Sequence, residues 1–366
     1  MVDRRRSLGD FAHDETPEIT DLSRAEREIA RIRKERDVAR TAVRSLEREA
    51  EQREAEITLL RSLDGLSVEQ VRWAAPKKKQ VAAHPATALV MLSDLHLDEV
   101  VAPAEVNGLN AYNREIARQR LERTAQGAVR LGTHLMSGFA FQGCIAVLGG
   151  DLVTGNLHDL AEFNETHSVI ATVDYWVDHL AACLEVLADA YNNNVHVVSV
   201  VGNHGRLTRK PRTKGRVEDN FDYLLARLLC RHFRDDDRFT WNIPLSADAY
   251  VDVYGTRLLI THGDQARGGS GISGLLTPVS LLDHRKRKRD ASLGRPYSHL
   301  MMGHWHTYLR TGTVTVNGSM KGTDEYAFLS NFGHEEASQA FAIITPEHGV
   351  TIESAIYCAD RKEEGW

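Results

Sequence analysis

The sequence predicts an α/β domain preceded by a helical arm, and three observations support this prediction. The chain has 366 residues, which is enough for one large domain with an appendage. Apolar residues follow a heptad spacing before residue 64. After residue 84, short apolar segments alternate with amphipathic ones and become more strand-like towards the C-terminus. We expect a flexible N-terminus over residues 1–21, a coiled-coil helix over 22–63, a short helix and linker over 64–83, and the α/β domain over 84–366.

The heptad pattern of the arm predicts self-association. In a parallel pair Glu28 would face Arg33, whereas Glu49 facing Glu54 is a repulsive pair. A single helix, solvated or folded onto its own domain, is the alternative, because alanine fills three core positions and arginine two. The core positions are Leu22, Ala25, Ile29, Ile32, Arg36, Ala39, Val43, Leu46, Ala50, Arg53, Ile57 and Leu60.

The composition excludes several classes of protein. A formal net charge of -6 excludes a uniformly basic nucleic-acid binder, although local basic patches remain possible. The four cysteines lack CxxC spacing and lie mostly in apolar segments, which favours reduced thiols over disulfides or a zinc ribbon. The N-terminus is charged, and no apolar segment approaches the roughly 20 residues of a membrane span. We therefore expect a cytoplasmic protein without membrane association.

The α/β domain is predicted from segments in the following order. Strands are expected at 87–93, 144–150 and 195–202, helices at about 114–136, 167–190 and 221–233, a hairpin at 249–261 turning at Tyr254 and Gly255, and later strands in YSHLMMG, TGTVTVNGS, AFAIITP and GVTIESAIY.

Polar residues directly follow the first two predicted strands. In SDLHLDE, Asp94 and His96 are two residues apart, which places both side chains on one side of an extended chain. The second strand ends in GGD, where the glycines allow a sharp turn before Asp151. A carboxylate with two oxygens at this position can bridge two cations.

The later strands continue this pattern. VVGNHG offers the side-chain oxygen of Asn203, and THGD offers the imidazole of His262. The segment SHLMMGHWHTYL is predicted as a buried strand, on which His304 and His306 project to one side and Trp305 to the other. Because ligands bind at the carboxyl ends of strands in open α/β sheets, we expect these groups to converge.

Each of these residues also has a structural explanation, as a helix cap, a turn residue or a buried histidine. Their joint occurrence favours a metal site, because two four-coordinate sites that share one carboxylate need seven protein ligands. The donors are oxygen and nitrogen without any thiolate, which suits Mn, Fe or Zn better than Ca or Mg. The seven are Asp94, His96, Asp151, Asn203, His262, His304 and His306.

Five short motifs occur in a fixed order: DLH, GD, GNH, THG and GHWH, between residues 94 and 306. With them the chain resembles the calcineurin-like metallophosphoesterases. The sequences that flank these motifs, including GGDLVTGNLHD and VNGSMKGTDEYA, resemble those of uncharacterised phage-encoded members of that family. The resemblance implies two β-sheets packed face to face between helices, a four-layer α-β-β-α sandwich.

The resemblance also implies how the site works. Two divalent metal ions are expected, Mn foremost and Fe, Zn or Ni as alternatives. His204 corresponds to a family histidine that is not a ligand but faces the scissile phosphate, as a charge stabiliser or proton donor. One ion would take Asp94, His96, Asp151 and His306, and the other Asp151, Asn203, His262 and His304.

The chain departs from the family pattern in what orients His204. Many members carry an acid directly after this histidine or three residues after the aspartate of GD. Gly205 and Thr154 stand at those positions here. Replacements could come from His158, Asp159 or Glu165.

Two basic segments flank the motifs in an otherwise acidic chain, which predicts a polyanionic substrate. We expect hydrolysis of phosphodiester bonds in nucleic acid, with a phosphomonoesterase or a cyclic-nucleotide or small-molecule phosphodiesterase as alternatives. A scaffold protein with an inactive phosphoesterase fold is a further alternative, and solvated surface is the structural explanation of the charges. The candidate substrate-binding residues are Arg206, Arg209, Lys210 and Arg212 in the first segment and Arg285, Lys286 and Arg287 in the second, both expected as loops.

Overall fold

The chain divides into two units, Met1–Ser67 and Val68–Trp366. The computed structural model describes residues 16–64, 84–157, 163–266 and 274–366. Most of the predicted flexible N-terminus and nearly all of the predicted linker over 64–83 therefore lie outside the described residues.

The described residues of the first unit form one helix, α1, which spans Thr16–Asp64 and includes the predicted 22–63. Residues with good helix propensity dominate it, and Arg31 forms ion pairs with Glu28 and Glu35 one turn away on either side. The described apolar side chains of the heptad seam are about half exposed, with Ile32 at 53% and Leu46 at 63%. The predicted pairing of this seam with a second helix stays a prediction.

The second unit begins with a six-stranded sheet. Four of its strands are parallel neighbours, and two C-terminal strands extend it by antiparallel pairing next to β1. The strand order is β11-β10-β1-β2-β3-β4, with β1 at Pro85–Leu92, β2 at Ala140–Leu148, β3 at Val195–Ser199, β4 at Phe239–Asn242, β10 at Ser338–Thr345 and β11 at Gly349–Tyr357.

A five-stranded sheet forms the second half. Strands β6, β7 and β9 are parallel neighbours, and the hairpin partners β5 and β8 lie antiparallel at the two edges. The order is β5-β6-β7-β9-β8, with β5 at Asp248–Val253, β6 at Thr256–Thr261, β7 at His299–Met302, β8 at Leu309–Thr311 and β9 at Val314–Val316.

Helices connect and cover the sheets. Five of them start at a side-chain cap, Asn113, Ser168, Asn220, Asp324 or Asp360, whose oxygen accepts a main-chain N–H of the first turn. The helices are α2 at Arg114–Val129, which continues as a π-helix over Arg130–Leu135, α3 at Val169–Ala190, α4 at Phe221–His232, α5 at Leu276–Ser292, α6 at Glu325–Leu329 and α7 at Arg361–Glu364.

The alternation of side chains along the strands builds four layers. On β1, Leu89 and Met91 pack in the apolar cluster between the two sheets, whereas Ala88, Val90 and Leu92 pack against the helical layer that contains α2, α3 and α4. Helix α5 covers the outer face of the second sheet. Both faces of β1 are therefore buried, which explains its continuous apolar sequence. The predicted α-β-β-α sandwich is confirmed.

Three details of the sequence prediction are wrong. Strand β7 ends at Met302, and His304 and His306 follow it in a left-handed conformation with φ of 74° and 54°. Strand β4 and helices α5, α6 and α7 were not predicted, because elements of four or five residues are too short and the charges of α5 obscure its helical period. The second basic segment therefore lies on a helix and not on a loop.

Three of the four cysteines, Cys144, Cys183 and Cys358, are buried, and all four are free thiols. Among the described helices, none is both long enough and apolar enough to cross a membrane.

Charge in the seam of α1 should disrupt any pairing of this helix. We predict that Ile32→Glu combined with Val43→Glu makes an oligomeric full-length protein monomeric, because a buried seam does not tolerate unpaired carboxylates. Light scattering measures the mass. Val38→Glu is the control, since Val38 is equally apolar and exposed but lies outside the seam. A monomeric wild type, or seam variants that keep an oligomeric mass, would refute the coiled coil.

Candidate metal centre

The predicted metal ligands lie in the loops that follow five strands. Loops after β1, β2 and β3 come from the parallel part of the first sheet, and loops after β6 and β7 from the parallel part of the second. Because parallel neighbours present their carboxyl ends at the same edge, and because the two sheets pack face to face, the five loops meet. Hydrogen bonds join them, from Asp94 N to Gly150 O at 3.0 Å and from Gly303 N to His262 O at 2.8 Å.

Backbone strain is concentrated at this meeting point. Five of the seven predicted ligands have a positive φ: Asp94, His96, Asp151, His304 and His306, with values between 46° and 74°. Each such conformation costs on the order of 1–3 kcal/mol and persists only where the surroundings enforce it, as at functional sites. The prediction that Asp94 and His96 share one side of an extended chain was therefore wrong in its reason, although both side chains reach the same cluster.

Two motif glycines are required by close approach of the carboxylates. A Cβ on Gly202 would overlap Oδ1 of Asp151, and a Cβ on Gly303 would overlap Oδ2 of Asp94. These glycines precede Asn203 and His304, so the GNH and GHWH motifs need glycine in order to bring their side chains next to the buried aspartates.

The first cluster contains Asp94, His96 and His306, whose ligand atoms all lie within 4.8 Å of one another. The Nε2 atoms of His96 and His306 are 3.0 Å apart, and His306 Nε2 lies 3.5 Å from Asp94 Oδ1. Ser93 Oγ donates to Asp94 Oδ2 at 2.6 Å, and His304 N donates to Oδ1 at 2.9 Å. The carboxylate is thus held with one oxygen towards the two imidazoles.

The second cluster contains Asp151, His262 and His304. His262 Nδ1 lies 3.0 Å from Gly149 O and donates to it, which turns Nε2 towards Asp151 Oδ2, also at 3.0 Å. The side-chain oxygen of Asn203 is buried, and no donor from the described residues reaches it. A buried acceptor without a donor is costly unless something else, such as a cation, satisfies it.

Asp151 lies between the two clusters. Its ligand oxygens are within 4.8 Å of His262 and His304 on one side and of His96 and His204 on the other. Its Oδ1 also accepts the main-chain N–H of His204 at 2.7 Å. A carboxylate in this position can serve two cations at once.

Burial leaves most of the imidazoles neutral. It lowers the pKa of His304 to about 4 and that of His306 to about 3, and it holds the pKa of His96 well below its usual value. Neutral imidazole is the form that binds metals. His262 differs, because burial disfavours its charge but the Asp151 carboxylate outweighs burial and raises its pKa to about 10. A cation at its Nε2 would take the place of that proton.

The pKa values of the two carboxylates also indicate that this site requires positive charge. Burial raises the pKa of Asp94 to about 7, and the neighbouring charge of Asp151 adds to the shift. Burial also opposes the charge of Asp151, but the imidazoles of His262 and His204 hold its pKa well below the usual range. Two buried carboxylates among nitrogen donors and an amide oxygen fit a pair of divalent metal ions.

His204 lies beside the clusters, with its ring centroid 4.6 Å from that of His96 in an edge-to-face arrangement. Burial lowers its pKa, and a hydrogen bond to the main chain of Thr154 opposes that shift. The main chain of Thr154 thus holds the ring. Of the three predicted replacements, Glu165 accepts the Arg114 main-chain N–H at 3.3 Å instead, and the other two, His158 and Asp159, lie outside the described residues.

Asp222 is a residue of the site that sequence reasoning missed. Its buried carboxylate, in the first turn of α4, accepts the main-chain N–H groups of Asp151, Leu152 and Gly202 at 2.9 to 3.0 Å. Burial and the charge of Asp151 raise the pKa of Asp222 to about 6. It ties together the loops after β2 and β3, and the cap at Asn220 was the signal that α4 starts there.

A second missed group lies behind His96. Glu99 Oε2 is 3.5 Å from His96 Nδ1 and accepts Thr154 Oγ1 at 3.0 Å, while its Oε1 accepts Lys321 Nζ at 2.7 Å. Lys321 also forms an ion pair with Asp324. Burial lowers the pKa of Lys321, but the two carboxylates outweigh it, so the buried lysine is charged. Glu99 therefore contacts both His96 and the residue that fixes His204.

The first basic segment is only partly available to a substrate. Arg209, Lys210 and Arg212 are exposed. The Arg206 guanidinium instead donates to the main-chain oxygens of Asn203, Thr208 and Arg209 in its own loop. The predicted role of Arg206 in binding substrate is corrected to a role in shaping this loop.

The second basic segment is mostly paired within the fold. Lys286 is buried and pairs with Asp248 at 2.6 Å. Arg287 pairs with Asp283 and donates to Thr313, which precedes β9 and so lies at the end of that strand away from the metal centre. The predicted substrate contacts of Lys286 and Arg287 are therefore corrected, and Arg285 remains exposed.

Three solved structures resemble the chain. A predicted phosphoesterase from Streptococcus pneumoniae shares 11% identity over 74% of this chain and 97% of its own, with a TM-score of 0.28. Vps29 from Entamoeba histolytica, complexed with zinc, shares 10% over 73% and 97%, with a TM-score of 0.29. A dimetal phosphatase from Danio rerio shares 11% over 75% and 100%, with a TM-score of 0.36.

The chain is similar in fold to these three proteins. No protein-family model and no curated protein matches the sequence. The likenesses are distant, so the chemistry of the site is inferred from this chain's own residues. The resemblance to phage-encoded members stays a prediction.

Glu99 should tune the metal centre through His96. We predict that Glu99→Gln lowers metal affinity by about 10- to 100-fold, because Glu99 Oε2 lies 3.5 Å from His96 Nδ1, where it would accept the ring N–H of a metal-bound His96. Calorimetric titration with Mn²⁺ measures the affinity, and the melting temperature of the metal-free protein reports general loss of stability.

The neighbouring Asp98 provides the matched control. Its carboxylate is also buried but bonds Arg114, Thr172 and Trp176. Asp98→Asn should lower the melting temperature and leave metal affinity unchanged in the folded protein. If both variants lose affinity to the same extent, Glu99 supports only the fold.

Proposed function

We propose that the chain is a phosphoesterase that uses two divalent metal ions. The position of Asp151 between two clusters of buried and half-buried nitrogen and oxygen donors is the observation that carries this proposal. Two divalent ions bound there would activate water and neutralise the charge of a phosphate ester. One would be held by Asp94, His96, Asp151 and His306, and the other by Asp151, Asn203, His262 and His304.

We assign His204 a role in acting on the substrate and not in binding metal. Its ring is fixed by the main chain of Thr154 and stands against His96 without being needed to complete either set of four ligands. One ring nitrogen is thus committed to Thr154, and the other would donate a proton to the leaving oxygen or stabilise its charge. Donation from that nitrogen needs a protonated ring; burial lowers the pKa of His204, and the charge of Asp151 opposes that shift.

We further propose that the substrate is a phosphodiester in nucleic acid. Arg209, Lys210 and Arg212 are exposed in the loop that begins directly after Asn203 and His204. Phosphates on either side of the scissile one need neutralisation, which a small substrate does not require. A phosphomonoesterase is the second candidate, favoured by the paired state of Lys286 and Arg287, which reduces the free positive charge.

Two variants should distinguish the residues that bind metal from the residue that acts in catalysis. Asp151→Asn should lose bound metal and activity together, because both clusters depend on this carboxylate. His204→Ala should keep the metal and lower turnover by roughly 10² to 10⁴, the usual effect of a lost general acid. Elemental analysis and hydrolysis of bis-p-nitrophenyl phosphate measure the two properties. Activity that persists in chelator, or unchanged turnover in His204→Ala, would contradict these assignments.

Reversal of charge in the first basic loop should weaken polymer cleavage specifically. We predict that a triple change to glutamate at Arg209, Lys210 and Arg212 reduces cleavage of labelled DNA and RNA and barely changes hydrolysis of a small diester. The slope of log affinity against log salt should flatten by about one unit for each lost contact.

A double change to glutamate at Arg285 and Lys288 is the comparison. These cations of α5 are equally exposed, and we expect a smaller effect. If the wild type cleaves only monoesters, or if the triple variant cuts polymers normally at moderate salt, the phosphomonoesterase becomes the better proposal.

A further inference from the structure

An exposed group of aromatic side chains lies on and after α6. Tyr326 is 61% exposed, Phe328 40% and Phe332 59%, and Leu329 between them is 82% exposed. We call Tyr326, Phe328 and Phe332 the aromatic rim. The rings of Tyr326 and Phe332 contact each other edge to face at 5.9 Å. Exposed aromatic clusters of this kind mark binding sites on folded proteins.

The segment that carries the aromatic rim is held in place. The Asp324 side chain caps α6 by accepting Ala327 N at 2.7 Å, and Glu325 accepts Ala102 N at 2.8 Å. At the base of the segment, Thr323 Oγ1 lies 3.0 Å from His334 Nδ1 and accepts Glu335 N at 3.2 Å. The rings are therefore presented by an ordered loop whose two ends are joined.

This loop lies next to the metal centre. Asp324, its capping residue, shares Lys321 with Glu99, whose carboxylate is 3.5 Å from His96. At the other end of the loop, Glu335 hydrogen-bonds Thr307, the residue after His306. Both ends of the segment that carries the aromatic rim are thus connected to the cluster of Asp94, His96 and His306, whereas the basic loop follows Asn203 of the other cluster.

The charges around the aromatic rim decide what it can bind. Residues 322–336 contain four acidic side chains and neither lysine nor arginine. Phosphates would be repelled there, and a double helix presents its phosphates outwards. A single strand instead exposes the faces of its bases, which stack on aromatic side chains whatever the sequence.

We propose that the aromatic rim stacks the bases of a single-stranded nucleic acid whose scissile phosphate is bound at the metal centre. The backbone on the other side of that phosphate follows the basic loop. This inference rests on the proposed function and narrows it to single strands or unpaired ends.

The experiment compares strands with and without bases. Full-length protein is measured with oligothymidylate and with an abasic strand of the same length. Binding is followed by fluorescence anisotropy in chelator, and cleavage is followed with Mn²⁺. The variants are Tyr326→Ala and Phe332→Ala, with Tyr326→Trp as the conservative change. Tyr357→Ala is the matched control, since Tyr357 is 68% exposed on the edge strand β11.

We expect the rim variants to lose affinity only for the strand that carries bases. Tyr326→Ala and Phe332→Ala should each weaken oligothymidylate binding by about 5- to 150-fold, the range for one lost stacking contact. KM for its cleavage should rise in parallel. Binding of the abasic strand and turnover of bis-p-nitrophenyl phosphate at saturation should not change, and Tyr326→Trp and Tyr357→Ala should behave as the wild type.

Two results would overturn the inference. The rim variants could bind both strands as the wild type does, or they could lose both strands equally. A change of mass in light scattering without a change in strand affinity would show a contact between copies of the chain instead. Turnover of the small diester distinguishes failure of the stacking inference from failure of the proposed function. If the wild type hydrolyses the small diester but strand binding does not depend on the bases, only the role of the aromatic rim is wrong. If the wild type is inactive, the proposed phosphoesterase function is wrong. Binding of the two strands in chelator still tests whether the aromatic rim stacks bases.

Discussion

The burial of two neighbouring carboxylates, Asp94 and Asp151, is the constraint on which the rest of the structure depends. Charge removed from water is tolerated only where hydrogen bonds and opposite charge compensate for it. The main-chain N–H groups of His204 and His304 point at these carboxylates, which requires left-handed turns and closely approaching glycines. The strained loops, the motif glycines and the surrounding imidazoles are thus consequences of one electrostatic requirement.

The predicted convergence of these residues is seen in the structure, but the reason for it was partly wrong. Polar residues after apolar strands indicated where the loops meet, since strand direction follows from local pattern. The orientation of His304 and His306 did not follow from a period of two, because the strand ends at Met302. Left-handed conformations at non-glycine residues are enforced by tertiary contacts, which a local pattern does not contain.

The runs of charged residues in the sequence do not indicate which cationic side chains are exposed and which are paired within the fold. Arg209 and Lys286 both occur in strongly basic segments, yet the first is exposed and the second is buried against Asp248. The difference depends on a partner 38 residues away in the chain. The same holds for Asp222 and Glu99, whose partners belong to other loops and could be assigned only once the fold had brought them together.

Lys321 connects the candidate metal centre to the segment that carries the aromatic rim. Its ammonium group neutralises Glu99, which contacts His96, and also holds Asp324, which caps the helix of the aromatic rim. Removing one partner of a buried ion pair costs about 3–5 kcal/mol, because the other charge is left uncompensated. The geometry of the metal ligands and the position of the aromatic rings are therefore stabilised by the same three charges. A change at the surface of α6 that leaves Asp324 in place should alter substrate binding alone, whereas a change at Lys321 should disturb binding and catalysis together.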